Sequence, residues 1–282
     1  GQQMKTLIIG SDSISSALGE RWKKRGWEVT GITNSPAELN KIQQVTTKAE
    51  LVDAHERHKI MRHSAPADLV VFNSLPRFHR SIASIMEMKR NADAITESCR
   101  HITDVNPRCI FLSTFAVYGQ QPWLRGSVDE YSHRYSSHDA LSRSYQQAED
   151  IILSADEGCV LRLPDIYGIP ENISVKERVK LGMRNNTKEI PLDAKASFHH
   201  IHYLDVLRVI DHVITEGLSG SFNVCDDDVQ HSTNQQVYNK VCDHEGWPRL
   251  KFTDHIKMPH RPVSAAKIRH TGFQIGHTSM DF

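Results

Sequence analysis

The stretch KTLIIGSDSISSALGERWKKRGWEVTGITNS, residues 5–35, decides the fold class. The apolar segment Thr6–Gly10 predicts a buried strand, and the apolar residues that follow recur at helical spacing as far as Trp22. A second apolar segment, Trp27–Thr33, predicts another strand. The stretch therefore predicts a β-α-β unit, although the turn between its first strand and its helix contains a single glycine, Gly10.

Strand and helix patterns alternate through the first part of the chain, which predicts a doubly wound parallel sheet covered on both faces. From Pro164 onward the pattern loosens, and we expect a smaller C-terminal lobe with helices near Tyr203–Glu216 and Gln235–His244. The expected division is 4–163 and 164–282. The other predicted strands are ADLVVFNS (67–74), RCIFLST (108–114) and CVLRL (159–163), and the other predicted helices are Pro36–Ile42, Lys48–His63, His79–Ile102 and 139–155.

Composition excludes several classes of function. The 282 residues include 34 basic and 34 acidic ones, so no net charge attracts nucleic acid or an anionic membrane. Apolar runs are too short to cross a bilayer, no signal-peptide pattern is present, and we expect a cytoplasmic protein. The five cysteines form no C-x-x-C pair, which favours buried free thiols over disulfides or a zinc site.

Four motifs occur in a fixed order along the chain, namely FLSTFAVYG (111–119), LRLPDIYG (161–168), FHHIHYLDVLRVI (198–210) and GSFNVCDDD (220–228), and NADAITESC (91–99) precedes them. Their order and spacing resemble the extended short-chain dehydrogenase/reductase family, the NAD-dependent epimerases and dehydratases, whose fourth helix NADAITESC matches. The resemblance implies a Rossmann-like sheet with a substrate lobe, an NAD or NADP cofactor, and an oxidoreductase or epimerase acting on a small carbonyl, hydroxyl or sugar-nucleotide substrate. The short chain and the loop after Tyr118 are more similar to the atypical members.

The glycine-rich turn of such folds departs from its usual pattern. Its three glycine positions correspond to Gly10, Asp12 and Ser15. Asp12 places a carboxylate where the diphosphate would lie, and like charges a few ångströms apart cost about 1 to 4 kcal/mol. The free amides of the helix N-terminus still attract an anion, so binding is weakened and not forbidden. Alternatively, Asp12 and Ser13 simply cap the helix without a ligand.

The end of the second strand usually carries an acidic residue for the ribose of NAD or an arginine for the phosphate of NADP. This chain has Thr33, Asn34 and Ser35, which can hydrogen-bond a ribose but do not decide between the two cofactors, and which are also ordinary turn residues. The cofactor-binding residues that the resemblance implies are Gly10, Asp12, Ser13, Ile14, Asn34, Ser35, Asn73, Ser74 and Ser113.

The family's catalytic tyrosine and the lysine four residues later are missing. Counting back from Glu149 places Leu141 and Tyr145 at these positions, whereas Thr114 occupies the place of the hydroxyl that binds the substrate oxygen. The catalytic candidates are therefore Thr114 together with Tyr131, Tyr135 and Arg143, because a guanidinium lowers the pKa of a nearby phenol. Alternatively, the two tyrosines and the arginine are loop and helix-surface residues.

By the same resemblance, the substrate-binding candidates are Tyr118, Asp165, His200 and His202. The histidines are wall residues of a cleft by this interpretation, and we expect no metal site. Two hypotheses remain: an atypical NAD(P)-dependent oxidoreductase or epimerase, which we favour, and a non-catalytic ligand-binding or regulatory descendant. We expect a small-molecule substrate of unknown identity, and a monomer or homodimer.

Overall fold

A computed structural model describes residues 3–73, 85–121, 125–135, 140–227 and 232–277. Its strands are β1 Lys5–Ile9, β2 Glu28–Thr33, β3 Lys48–Leu51, β4 Leu69–Phe72, β5 Cys109–Thr114, β6 Cys159–Leu163, β7 Asp165–Tyr167, β8 Glu189–Leu192, β9 His200–His202, β10 Gly220–Asn223 and β11 Lys251–Ile256. Its helices are α1 Ser13–Lys24, α2 Pro36–Val45, α3 Arg57–Ser64, α4 Ile85–Thr103, α5 Ala140–Leu153, α6 Val175–Arg184, α7 Tyr203–Glu216, α8 Asn234–Glu245 and α9 Ala266–His270, with a short 3₁₀ helix at Phe115–Tyr118.

The central feature is a seven-stranded sheet in the order β10-β6-β5-β4-β1-β2-β3. The strand β1 pairs in parallel with β2 on one side and with β4 on the other, and β2–β3 and β4–β5 are also parallel. The predicted doubly wound parallel α/β sheet is confirmed. Strand order reverses between β1 and β4, and ligands of such folds bind beyond the carboxyl ends of the strands at this position.

Strands β4 and β5 occupy the centre of the sheet because their side chains are apolar on both faces. All four residues of β4 and all six of β5 are buried, as expected for strands covered by helices on either side. In α1, Leu18 and Trp22 are 1% and 0% exposed, which explains the helical spacing of the apolar residues in the sequence.

The predicted helix Lys48–His63 is wrong in its first half. Residues Lys48–Leu51 form the edge strand β3, which pairs with β2, and helix α3 begins only at Arg57. The charged residues Lys48 and Glu50 suit an edge strand, because such a strand has fewer neighbours to bury it. The predicted start of the next helix, at His79, lies outside the described residues.

The chain divides into two compact units that interleave along the sequence. Unit 1 comprises Gly1–Ser113, Ser137–Arg162 and Leu207–Phe222, and unit 2 comprises Thr114–Ser136, Leu163–Val206 and Asn223–Phe282. The predicted boundary after residue 163 lies one residue from the crossing between Arg162 and Leu163. The sequence pattern did not indicate the other crossings.

Unit 2 has its own apolar core, in which α6 and α8 pack together with β8. Helix α6 was not predicted, because only Val175 and Val179 among its ten residues are buried. It begins at Ser174, whose side chain accepts a hydrogen bond from the backbone of Glu177. The core contains Val175, Val179, Ile190, Val237, Tyr238, Val241, Cys242 and Leu250.

Among the helices that the structure describes, none combines the length and the apolar composition that a membrane span requires.

Candidate functional site

The turn after β1 requires glycine at its first position. Gly10 has a φ angle of 133°, and a Cβ atom at this position would lie 2.1 Å from the carbonyl oxygen of Asn73. Because Asn73 directly follows β4, the backbones of the two strand ends approach each other closely here. Only glycine fits this approach, so the one glycine that the turn retains is the one that its geometry demands.

Asp12 caps helix α1. Its Oδ1 atom accepts a hydrogen bond of 2.9 Å from the backbone N–H of Ser15. The Asn73 side-chain amide donates to the same oxygen at 2.6 Å and to the Ser15 hydroxyl at 2.9 Å. Ser13 is the first helical residue, and Ile14 is 1% exposed within the apolar core. The structure therefore shows Asp12 as the N-cap of α1, which was one of the two interpretations of its sequence position.

A cleft lies beside this turn, at the carboxyl ends of β1, β2 and β4. Three of the cofactor-binding candidates line it, namely Gly10, Asn34 and Asn73. Asn91 and Ser98 of α4 also contribute polar side chains to the lining. The other described residues of the lining are Ile9, Ser11, Ile32, Thr33, Val52, Ala54, Ile60, Phe72, Ala94 and Ile95. Ser35 precedes α2, and its backbone N–H donates to the Thr33 hydroxyl at 3.1 Å. Ser74 lies outside the described residues.

Ser113 belongs to a buried polar cluster. Its hydroxyl donates to Glu149 Oε2 at 2.5 Å, and Arg162 Nη2 donates to Glu149 Oε1 at 2.7 Å. The Glu149 and Arg162 side chains are 0% and 4% exposed, so this ion pair is almost completely removed from solvent. The cluster joins β5, α5 and β6 within unit 1, which gives Ser113 a structural role.

Thr114 is the last residue of β5 and caps the following 3₁₀ helix. Its Oγ1 atom accepts a hydrogen bond of 3.2 Å from the backbone N–H of Ala116, and the residue is 4% exposed. In a threonine that accepts one hydrogen bond, the hydroxyl proton remains a possible donor. The capping bond is therefore compatible with a contact to a substrate oxygen.

The positions of the missing tyrosine and lysine are filled by buried side chains of α5. Leu141 is 6% exposed and Tyr145 is 1% exposed, and the Tyr145 ring lies 5.5 Å from that of Phe111. Arg143 is exposed on the same helix. In unit 2, Tyr131 is 86% exposed and Tyr135 is 40% exposed. All three side chains are thus exposed, as expected if they are ordinary loop and helix-surface residues. A catalytic role for them stays a prediction.

The substrate-binding candidates all lie in unit 2. Tyr118 is fully buried, and its hydroxyl donates to Asn223 Oδ1 at 2.6 Å. Asp165 pairs with Arg178, a residue that the sequence did not single out. Arg178 also donates to the Tyr238 hydroxyl at 3.1 Å, which links α6 to α8. No sequence signal indicated Arg178, because it lies in a helix that was not predicted.

His200 and His202 lie on the same strand, β9. His200 is 4% exposed, and within the described part of the chain neither of its ring nitrogens has a hydrogen-bond partner. Burial lowers its pKa, against an opposing effect of Asp165, so the neutral ring is favoured. The His202 ring stacks on His277 at 4.1 Å, and burial together with His277 lowers the pKa of His202. Among the described residues, no three His, Cys, Asp or Glu side chains are grouped to hold a metal.

Similarity to known proteins agrees with this geometry. The sequence model of the NAD dependent epimerase/dehydratase family matches residues 7–225. The chain belongs to that family. No curated protein matches the chain.

Two solved structures of similar fold illustrate this epimerase/dehydratase architecture. The dTDP-glucose 4,6-dehydratase DesIV from Streptomyces venezuelae, solved with NAD bound, has a TM-score of 0.76 and 17% identity, covering 97% of this chain and 92% of that chain. The enzyme WbmG from Bordetella bronchiseptica, solved with NAD and UDP, has a TM-score of 0.77 and 17% identity, covering 100% of this chain and 91% of that chain. At this identity the similarity concerns the fold.

Proposed function

We propose that this member of the family binds the adenosine half of NAD or NADP in the cleft of unit 1. The observation that carries the proposal is the position of the cleft, which lies at the strand-order reversal and is lined by Gly10, Asn34 and Asn73. The solved structures of DesIV and WbmG, which contain NAD, support it.

The cleft residues fit an adenine nucleoside. Val52, Phe72 and Ile95 are buried apolar residues that offer contacts to the faces of a base. Thr33 is the last residue of β2 and Asn34 follows it, where their hydroxyl and amide groups can hydrogen-bond ribose hydroxyls. The turn fits the diphosphate less well, because the backbone N–H of Ser15, at the N-terminus of α1, already donates a hydrogen bond to the Asp12 carboxylate.

We further propose an atypical oxidoreductase or epimerase activity on a small carbonyl, hydroxyl or sugar-nucleotide substrate. The nicotinamide group, when bound, would supply hydride chemistry. Thr114 would orient the substrate oxygen through its hydroxyl, and Tyr118, Asp165, His200 and His202 are the proposed substrate contacts. The cytoplasmic location and the monomeric or homodimeric state are parts of the same proposal.

A non-catalytic, ligand-binding role is the second candidate. It is favoured by the side chains that replace the tyrosine and lysine, because Leu141 has no titratable group and the Tyr145 ring is 1% exposed. A protein of this kind would bind the nucleotide without turning over a substrate.

Titration with NADH and NADPH, read by the fluorescence of the reduced nicotinamide, tests cofactor binding. We expect saturable binding that weakens at least about tenfold in Ala94→Phe, because Ala94 lines the cleft and the added ring fills it. The matched control is Asp93→Phe, which adds the same ring at an exposed position of α4 and should bind as the unmodified protein does. Equal binding by both variants would contradict the assignment of this cleft.

A further inference from the structure

We infer that unit 1 contains a second small-molecule site, which binds an aliphatic α-amino acid in its zwitterionic form. The site is a cavity of about 210 Å³, and none of the described residues that line it also lines the nucleotide cleft. The inference follows from the position of this cavity, from its apolar wall, and from the charges of both signs in its lining.

The cavity lies at the edge of the sheet opposite to the nucleotide cleft. Two of its lining residues are Leu69, the first residue of β4, and Arg108, which directly precedes β5. Because β4 and β5 are parallel, their amino ends lie together here, whereas the cleft borders the carboxyl end of β4. The second site is therefore independent of the proposed nucleotide binding.

One part of the cavity wall is apolar and buried. Leu69, Ile110 and Val213 are 1%, 2% and 3% exposed, and all three line the cavity. The volume corresponds to about seven water molecules in the liquid, which is less than the pockets of drug-sized ligands offer. An apolar body of the size of an aliphatic amino-acid side chain fits this wall.

The lining also carries charges of both signs. Arg108 is partly buried, and Asp156 and Glu157 are exposed. Within the described part of the chain, none of these three side chains forms a hydrogen bond or an ion pair. Opposite charges that line one cavity without pairing leave room for a ligand that carries both partners, a carboxylate for the guanidinium and an ammonium group for the acids.

The two acids lie in a tight turn between α5 and β6. At Gly158, which follows them, a Cβ atom would lie 1.9 Å from the carbonyl oxygen of Ile152, so the turn requires glycine. The Gly158 carbonyl accepts a hydrogen bond of 2.9 Å from the backbone N–H of Gly220. The backbone that carries Asp156 and Glu157 is thus held in place by its neighbours in unit 1.

The backbone of Arg108 is held as well. Its N–H donates to the Asn106 side chain at 2.9 Å, and its carbonyl accepts from Val70 at 3.0 Å. Helix α7 ends beside the same cavity, which is lined by Ile214 of its last turn. Because the C-terminal end of a helix carries partial negative charge, it adds to the attraction of the two acids for an ammonium group.

Calorimetric titration with L-leucine tests the inference, together with two analogues that each lack one charge. 4-Methylpentanoate lacks the ammonium group of leucine, and 3-methylbutylamine lacks its carboxylate. We expect leucine to bind saturably with a dissociation constant of about 10 μM to 1 mM. Each analogue should bind at least about tenfold more weakly, because one charge-assisted contact is lost.

Arg108→Gln removes the proposed partner of the ligand carboxylate. The variant should bind leucine about tenfold more weakly than the unmodified protein does, and should bind 3-methylbutylamine within about twofold of it. Arg100→Gln is the matched control, because Arg100 is an exposed arginine of α4 that is not part of the described lining. It should bind leucine as the unmodified protein does.

Ser219→Phe is a second variant, for use if Arg108→Gln perturbs folding. Ser219 is an exposed residue of the lining, and the added ring should fill the cavity and weaken leucine binding at least about tenfold. Leucine binding that is unchanged in both variants would overturn the inference, as would its absence from the unmodified protein. Equal affinities for leucine and 3-methylbutylamine would also overturn it, since the carboxylate would then contribute nothing.

Discussion

The hydroxyl of Thr114 has an observed structural role beside the proposed contact to a substrate oxygen. It ends β5 and accepts a hydrogen bond from the Ala116 backbone, which starts the 3₁₀ helix that follows. A valine at this position keeps the shape of threonine but has no acceptor for that N–H group. Loss of the hydroxyl therefore affects folding as well as any contact to a substrate.

We predict that Thr114→Val lowers the free energy of unfolding by about 1 kcal/mol, the usual contribution of a capping side chain. If the protein turns over a substrate, the same change should reduce turnover by about 10- to 1,000-fold, as expected for the loss of an aligned donor. Denaturant unfolding and an assay of carbonyl compounds and sugar nucleotides measure the two effects.

Thr114→Ser is the control, because it retains the hydroxyl and should preserve both stability and turnover. A valine variant that unfolds like the unmodified protein would show that the bond to Ala116 contributes nothing. A valine variant of full activity would remove Thr114 from the mechanism, and Tyr131 and Tyr135 would remain as candidates.

At the scale of the elements, α1 and α7 are joined by one carboxylate within unit 1. Asp211 accepts hydrogen bonds from Arg21 at 2.7 Å, from the Trp22 indole at 2.9 Å, and from Arg25 at 2.7 Å. Burial raises the pKa of Asp211, but the hydrogen bonds from Arg25, Trp22 and Arg21 outweigh it, and the net shift is downward.

We predict that Asp211→Asn lowers the free energy of unfolding at neutral pH by about 2 to 3 kcal/mol. Because the pKa of Asp211 is lower in the folded than in the unfolded protein, its contribution is complete above the unfolded pKa. It is lost as the pH falls through the folded pKa. Denaturant unfolding between neutral and acidic pH should thus show a smaller loss of stability with acid in the variant.

Asp243→Asn is the comparison for this experiment. Asp243 pairs with Arg249 at 2.7 Å, but their side chains are 55% and 60% exposed. Solvent screens such a pair, so the variant should have nearly the stability of the unmodified protein. If both variants lost the same stability, the burial of the Asp211 cluster would not be the cause of its effect.

At the scale of the whole molecule, all five cysteines are buried and free: Cys99, Cys109, Cys159, Cys225 and Cys242. The first three belong to unit 1 and the last two to unit 2. Burial raises the pKa of Cys99 and Cys225 well above that of an ordinary thiol, which removes the reactive thiolate.

We predict that a thiol reagent labels almost none of these cysteines in native buffer and all of them in the unfolded chain. Labelling at increasing denaturant concentration, followed by mass spectrometry of peptides, reports the unfolding of each unit separately. A reference labelling in strong denaturant gives the complete signal. Rapid labelling of Cys99 in native buffer would contradict its observed burial.

The fold was largely predictable from the sequence because its strands are continuous apolar runs. CVLRL was predicted as residues 159–163 and forms β6 with these bounds, and Tyr203–Glu216 forms α7 as predicted. The pattern failed where tertiary contacts decide the structure. The charges of the edge strand β3 are typical of a helix surface, and the sequence pattern does not predict α6, because only one narrow side of it is buried.

The candidate site was predictable only in part. The sequence indicated Gly10 and Asp12, but the bond from Asn73 that fixes Asp12 joins residues 61 positions apart. Likewise, Arg178 meets Asp165 through the pairing of elements that no local pattern predicted. Contacts of this kind depend on which strand ends meet, and periodicity carries no information about them.

The bonds of Asp211 also bear on how the protein folds during synthesis. Arg21 and Asp211 are separated by 190 positions, so the partner of α1 leaves the ribosome long after the helix itself. At typical rates of translation the delay is about 10 to 40 s. During this interval the apolar side of α1 can pack on the first strands, but the Trp22 indole and both arginines lack the Asp211 carboxylate. The nascent chain therefore completes the contacts of α1 only after Asp211 has emerged, and chaperones have this interval in which to bind it.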